Sequence, residues 1–124
     1  MKLATYRDGS RDGQLVVVSR DLSQAHFATG IATRLQQVLD DWNFLSPLLQ
    51  DLSVTLNQGK ARHAFPFEPR QCMAPLPRAF GWVLDATAAT LPETSTPGAP
   101  PAAGPALLHG ASDTLLGPCQ DVWL

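Results

Sequence analysis

The stretch Phe65-Pro66-Phe67-Glu68-Pro69-Arg70-Gln71-Cys72-Met73-Ala74-Pro75-Leu76-Pro77-Arg78-Ala79-Phe80-Gly81-Trp82-Val83-Leu84-Asp85 decides the reading of the fold. Each of Pro66, Pro69, Pro75 and Pro77 fixes φ and lacks an N–H, so a helix cannot run through them and the path is extended and stiff. Phe65, Phe67, Cys72, Met73, Leu76, Phe80 and Trp82 sit among the prolines and are side chains that favour burial. A rigid apolar ribbon of this kind lies across another surface and connects packed parts.

The surface it needs is legible upstream. Lys2 to Arg7 and Gln14 to Arg20 flank Asp8-Gly9-Ser10-Arg11-Asp12-Gly13, and two Asp-Gly pairs between β-prone runs signal a hairpin. The run Leu15-Val16-Val17-Val18 is continuous rather than alternating, which predicts a strand covered on both faces. Ile31, Leu35, Val38, Leu39 and Trp42 then recur as one apolar stripe and predict a helix over about 31–42. Ser46-Pro47 reads as the start of a second helix, a cap residue followed by proline at the first helical position. Leu45, Leu48, Leu49, Leu52 and Leu56 line that helix, and Asn57-Gln58-Gly59 closes it at a C-terminal glycine. The short link between the two predicts an antiparallel pair packed on the hairpin. The stripes read most simply as core, a partner-binding helix being the alternative.

Composition narrows the class. The chain has 124 residues, enough for one small domain, with 44% hydrophobic residues and only 16% charged. A net charge of −2 gives no electrostatic footprint for nucleic acid or an anionic membrane. No apolar run reaches the roughly 20 residues of a membrane-spanning helix. Met1-Lys2-Leu3-Ala4-Thr5-Tyr6-Arg7-Asp8 has no signal-peptide core, so a cytoplasmic setting is expected. Cys72 and Cys119 lack metal-ligand spacing and read as reduced thiols, with Cys72 buried.

After Asp85 the composition shifts to Ala, Thr, Pro, Gly and Ser. Such a segment buries too little apolar surface to offset its ordering entropy, so Thr90 to Pro105 reads as a flexible linker. The fold expected is therefore α+β: a small N-terminal β-hairpin packed with an antiparallel helical pair, then an extended proline-rich ribbon and a flexible linker. The expected parts are 1–85 as a small domain, 86–105 as linker and 106–124 as a segment of a following domain.

Met1-Lys2-Leu3-Ala4-Thr5, the run Asp8 to Asp21, and Cys72-Met73-Ala74-Pro75-Leu76-Pro77-Arg78-Ala79-Phe80 resemble the amino-terminal part of bacterial fumarylacetoacetate hydrolase family proteins. Gly110-Ala111-Ser112-Asp113-Thr114-Leu115-Leu116-Gly117-Pro118 is similar to a Gly-Gly-Ser-Asp-x-Phe-Leu-Gly-Pro segment of the same proteins. The resemblance covers residues 1 to about 85 and returns at about 108–118. It implies hydrolysis of a carbon–carbon bond in β-diketo acids such as fumarylacetoacetate, in aromatic amino-acid breakdown. It implies a magnesium or calcium ion held by carboxylates in a β-rich C-terminal catalytic domain, an ion suited to oxygen ligands. That metal polarises the diketone, and a histidine paired with an acid activates water. It implies too that the N-terminal part is noncatalytic and packs on the catalytic domain, packing on another copy, as in a homodimer, being the alternative.

Two departures from the family pattern stand out. Asp85 occupies the place of a family metal-ligand aspartate, but the residue seven positions on is Pro92 where the family has its catalytic histidine. The family's Glu-x-Glu metal pair would follow position 124, and no Glu-x-Glu occurs in the sequence. Asp85 is thus the single candidate metal ligand, and no residue is assigned as catalytic. His26, His63 and His109 are scattered and read as surface or loop residues. Ser112-Asp113 lacks the Gly-x-Ser-x-Gly elbow of an acyl-transfer site. Arg78 suits either an acid substrate or a structural salt bridge, the latter being the simpler reading. Two functions follow: the noncatalytic N-terminal portion of a family hydrolase, or a free-standing binding or assembly module derived from it.

Overall fold

The computed structural model of the chain describes residues 1–85, 107–112 and 115–122. They fall into two compact units, Met1–Arg78 with Thr114–Leu124, and Ala79–Asp113. In the first unit, β1 (Lys2–Tyr6), β2 (Gln14–Val18), β3 (Gln24–Phe27) and β4 (Phe65–Pro66) form an antiparallel sheet in that spatial order. Helices α1 (Leu35–Asp40) and α2 (Trp42–Asn57) pack on it. The class is α+β, with the expected hairpin and pair of helices. The linker expected at 90–105 lies outside the described residues.

The hairpin follows from its turn. Gly9 and Gly13 both have positive φ, 87° and 64°. The Asp8 carboxylate accepts from the Ser10 N–H at 2.8 Å and from its hydroxyl at 2.6 Å, closing a local turn. At Gly13 a β-carbon would meet Tyr6 O at 2.6 Å and Thr5 Cγ2 at 2.7 Å, so only glycine fits there.

β2 is buried along its apolar length, and its side chains divide between two cores. Leu15 and Val17 pack with Ala28, Ala32, Val38, Leu49 and Leu56 on the helical side. Val16 and Val18 pack with Tyr6, Ala25 and Cys72 on the other, where Phe65 and Phe67 of the proline ribbon join them. The continuous apolar run thus lies between a helical layer and the ribbon, as its pattern requires. Tyr6 sits within 5.7 Å of Phe65, 6.0 Å of Phe67 and 6.2 Å of Phe27, ring centre to ring centre. These are ordinary separations for favourable aromatic pairs.

The helices depart from their expected bounds. α1 is only Leu35–Asp40, and α2 begins at Trp42 rather than Ser46, so Pro47 lies inside it. The break is at Asp41, whose backbone is non-helical (φ −132°, ψ 48°). The Asp41 carbonyl accepts from Phe44 and Leu45, which starts α2 without a side-chain cap. Pro47 falls in the second turn, where its missing N–H costs one bond to the carbonyl of Asn43. The turn at Asp41 redirects the chain, so Leu39 and Trp42 do not continue the buried stripe and are exposed. The buried side of α2 is Leu45, Leu49, Leu52 and Leu56, while Leu48 is 43% exposed. The C-terminus is as expected. Gly59 has φ 70°, its N–H donates to Leu56 O, and Lys60 N–H donates to Thr55 O, a Schellman closure.

Strands β3 and β4 were not expected, and the ribbon contains one 3₁₀ turn, Pro69–Gln71, capped by the Glu68 carboxylate accepting from Arg70 N–H. Pro69 at its first position gives up no needed donor. In the second unit, β5 (Ala79–Asp85) pairs with β6 (Leu107–Ser112). Trp82, expected to be buried, is 42% exposed.

The division of α2 has a direct test. Leu49→Ala should destabilise the chain by about 2–5 kcal/mol, whereas Leu48→Ala should change stability by less than about 0.5 kcal/mol. Urea unfolding followed by circular dichroism measures both, and equal losses would show the buried face to be misassigned. Gly13→Ala, measured the same way, should cost about 2 kcal/mol or more from a left-handed backbone and a blocked β-carbon.

Candidate functional site

The ribbon is held by hydrogen bonds to β1 and to the turn before β3. Thr5 Oγ1 donates to Pro75 O at 2.8 Å, and Met73 N–H donates to Thr5 O at 2.8 Å. Arg7 N–H donates to Gln71 O at 2.8 Å, and the Tyr6 hydroxyl accepts from Glu68 N–H at 2.7 Å. Phe67 N–H donates to Ser23 O at 3.0 Å. Prolines remove donors from this segment, and several of its remaining N–H and C=O groups bond to β1, to Arg7 just after it and to the turn before β3. Burial raises the pKa of Tyr6, which keeps its hydroxyl protonated beside the Glu68 amide.

The ribbon ends in a charged clamp. Arg78 Nε donates to Asp12 Oδ1 at 2.6 Å and Nη2 donates to Asp12 Oδ2, a bidentate pair. Arg34 Nη1 lies 3.4 Å from the same carboxylate. The hydrogen bond from Arg78 holds the Asp12 carboxyl below the usual carboxylate range. Arg78 therefore joins the hairpin turn to the end of the ribbon. Asp12 was read only as a turn residue, and no sequence signal pairs two residues so far apart.

A second polar cluster fills the turn between β2 and β3. The Asp21 carboxylate accepts from Ser19 Oγ at 2.6 Å, Ser23 Oγ at 2.7 Å and Ser23 N–H at 3.1 Å. These donors, the Ser19 hydroxyl foremost, lower its pKa to about 2. The Ser-x-Asp-x-Ser pattern at 19–23 is a readable turn signal. Leu22, at the tip, has φ 62°, a left-handed conformation uncommon for leucine. Between this turn and the C-terminal half of α2 runs an open cleft of about 880 Å³, walled by Lys2, Arg20, Asp21, Ser53, Asn57 and Gln58 among others. Lys2 Nζ donates to Arg20 O at 2.8 Å, Asn57 Oδ1 accepts from Arg20 N–H at 2.8 Å, and Asn57 Nδ2 donates to Ser53 O at 2.6 Å. Much of the wall's polarity is thus spent on itself, which marks a seam between helix and turn.

The other candidate residues divide between the units. Asp85 ends β5 in register with Leu107, and His109 lies on β6 opposite Val83. Among the described residues, no three His, Cys, Asp or Glu side chains stand together as a metal-ligand set. His26 and His63, read as scattered, stand with ring centres 6.5 Å apart. Cys72 is buried and Cys119 exposed, both unpaired. Burial pushes the Cys72 thiol up, away from a reactive thiolate. Gly117 lies against the ribbon, where an added β-carbon would meet Cys72 O at 2.5 Å.

Residues 1–78 match the family described as fumarylacetoacetase N-terminal domain 2. The chain belongs to that family. No curated protein matches it. The family match ends at Arg78, where the main segment of the first unit also ends, so the fumarylacetoacetase N-terminal domain comprises the sheet, both helices and the stitched ribbon up to its clamp.

Asp21 provides a test of the turn chemistry. A carboxylate with a depressed folded pKa contributes stability above the ordinary carboxylate range and loses it as pH falls towards about 2. Carboxyl NMR titration should place Asp21 near 2, and Ser19→Ala should raise it towards the ordinary value. An unchanged titration in Ser19→Ala would show that the hydroxyl is not the cause.

Proposed function

We propose that residues 1–78 are the noncatalytic N-terminal portion of a fumarylacetoacetate hydrolase-like enzyme, one that cleaves a carbon–carbon bond in β-diketo acids. The observation that carries this reading is the coincidence of the family match with the unit that seats the ribbon. The unit's role is to hold the proline ribbon in one path. The family's C-terminal catalytic domain supplies the chemistry together with its magnesium or calcium. The partner is that domain or another copy of the chain in a homodimer, in a cytoplasmic setting. Among the described residues, no helix is long and apolar enough to cross a membrane.

Asp85 is proposed as a ligand of that metal only in company with carboxylates of the catalytic domain, since one carboxylate cannot hold a hard cation tightly. The candidate partition is 1–85 as the small domain, 86–105 as linker and 106–124 as a segment of the catalytic domain. A second reading, a free-standing binding or assembly module, draws support from the exposed apolar residues Leu39, Trp42, Phe44 and Leu48 at the start of the helical layer.

The assay is loss of diketone absorbance with fumarylacetoacetate or an acylpyruvate. The chain alone, with added Mg²⁺ or Ca²⁺, should give no rate above buffer. Losing a positioned base costs a factor of ~10²–10⁴, and an incomplete metal site removes the Lewis acid as well. Mixed with the catalytic domain of a family member, the chain should co-elute with it on gel filtration and raise its metal-dependent turnover. Turnover by the chain alone that survives chelator and Asp85→Ala would point to an unrelated active site. Turnover abolished by both would give Asp85 the metal without the family histidine.

A further inference from the structure

His26 and His63 are brought together by two elements that the proposed function leaves unused. His26 is on β3, in cross-strand register with Val17, and is half-buried. His63 lies in the exposed loop that follows the glycine stop of α2. Their ring centres are 6.5 Å apart with the planes inclined at 53°.

The hydrogen bond of His26 determines what its ring can do. Its Nδ1 lies 2.7 Å from the carbonyl oxygen of Phe27. A carbonyl only accepts, so Nδ1 carries a proton in this contact, and in the neutral ring that leaves Nε2 as the nitrogen with a lone pair. A backbone carbonyl that holds one ring nitrogen is the usual means of orienting an imidazole whose other nitrogen binds a metal. The neighbouring His63 is exposed and can turn its ring to meet a shared ion.

The spacing is compatible with that role. A metal–nitrogen bond of about 2.0–2.1 Å puts a ring centre roughly 3 Å from the ion, so two rings on one tetrahedral ion have centres about 5 Å apart. The observed 6.5 Å is wider than that, and an inward movement of about 1.5 Å by the exposed loop histidine closes the difference. We propose that His26 and His63 form a two-histidine site for a borderline divalent transition metal such as Zn²⁺. Water completes its coordination, because the described residues provide no third His, Cys, Asp or Glu ligand. Imidazole nitrogen suits Zn²⁺, Cu²⁺ and Ni²⁺ and not the oxygen-seeking Mg²⁺ or Ca²⁺, so this site differs in class from a carboxylate-held ion. Lys60 and Arg62 in the same loop add positive charge, which weakens cation binding without excluding it.

The test is a Zn²⁺ titration of the full chain, followed by histidine-ring NMR and calorimetry, in a Cys119→Ser background to remove the exposed thiol. The ring signals of His26 and His63 should shift together at an equimolar end point. His63→Gln, an exposed loop change that leaves the core intact, should weaken Zn²⁺ at least tenfold, and His26→Gln should do the same. His109→Gln should leave binding unchanged, and excess Mg²⁺ should not compete. No shift of the two rings at millimolar Zn²⁺, or undiminished affinity in His63→Gln, would overturn the assignment, as would displacement by Mg²⁺.

Discussion

Leu15, Val16 and Val17 are each 0% exposed and Val18 is 2%, although adjacent side chains on a strand point to opposite sides. One covering layer would leave half of them in water. Full burial of such a side chain is worth about 1.5–3 kcal/mol, so a second layer is strongly favoured, and the proline ribbon is that layer. Much else follows from this demand. The helices must present Leu49 and Leu56 to one side, and Phe65, Phe67 and Cys72 must return to the other. The stiffness of the ribbon lowers the entropy lost when it is laid down.

The parts of the fold written in local chemistry were legible. Two Asp-Gly pairs gave the hairpin, the unbroken apolar run gave a strand covered on both faces, and Gly59 gave the end of α2. What escaped was decided by partners distant in sequence. β3 reads Gln24-Ala25-His26-Phe27, too short and too polar to announce itself, and it is a strand because β2 offers it a ladder. β4 is two residues long and exists only as the neighbour of β3. Ser46-Pro47 misled because a proline suited to a helix start also survives early in a helix begun elsewhere, at the kinked Asp41.

The candidate site divides in the same way. The family was readable from runs of residues in order, and its match covers 1–78. The Asp12–Arg78 clamp and the meeting of His26 with His63 were invisible, because each joins two segments that only the folded sheet and its ribbon bring together. Asp85 was singled out by its place after the ribbon, and its backbone closes β5 opposite Leu107.

The rigid turns on either side of β2 have a consequence for fidelity of assembly. A strand that is polar on one face resists slipping, because a shift of one residue would put its apolar side chains in water. β2 has apolar residues on both faces, so a slip would exchange one buried set for another with little loss of transfer energy. Its alignment must therefore come from the ends. Gly13 admits one geometry at the entrance, and the Ser19-Asp21-Ser23 knot fixes the exit. In this protein the exposed loops act as the alignment pins of the interior, and errors in strand pairing during folding should trace to them before any core side chain.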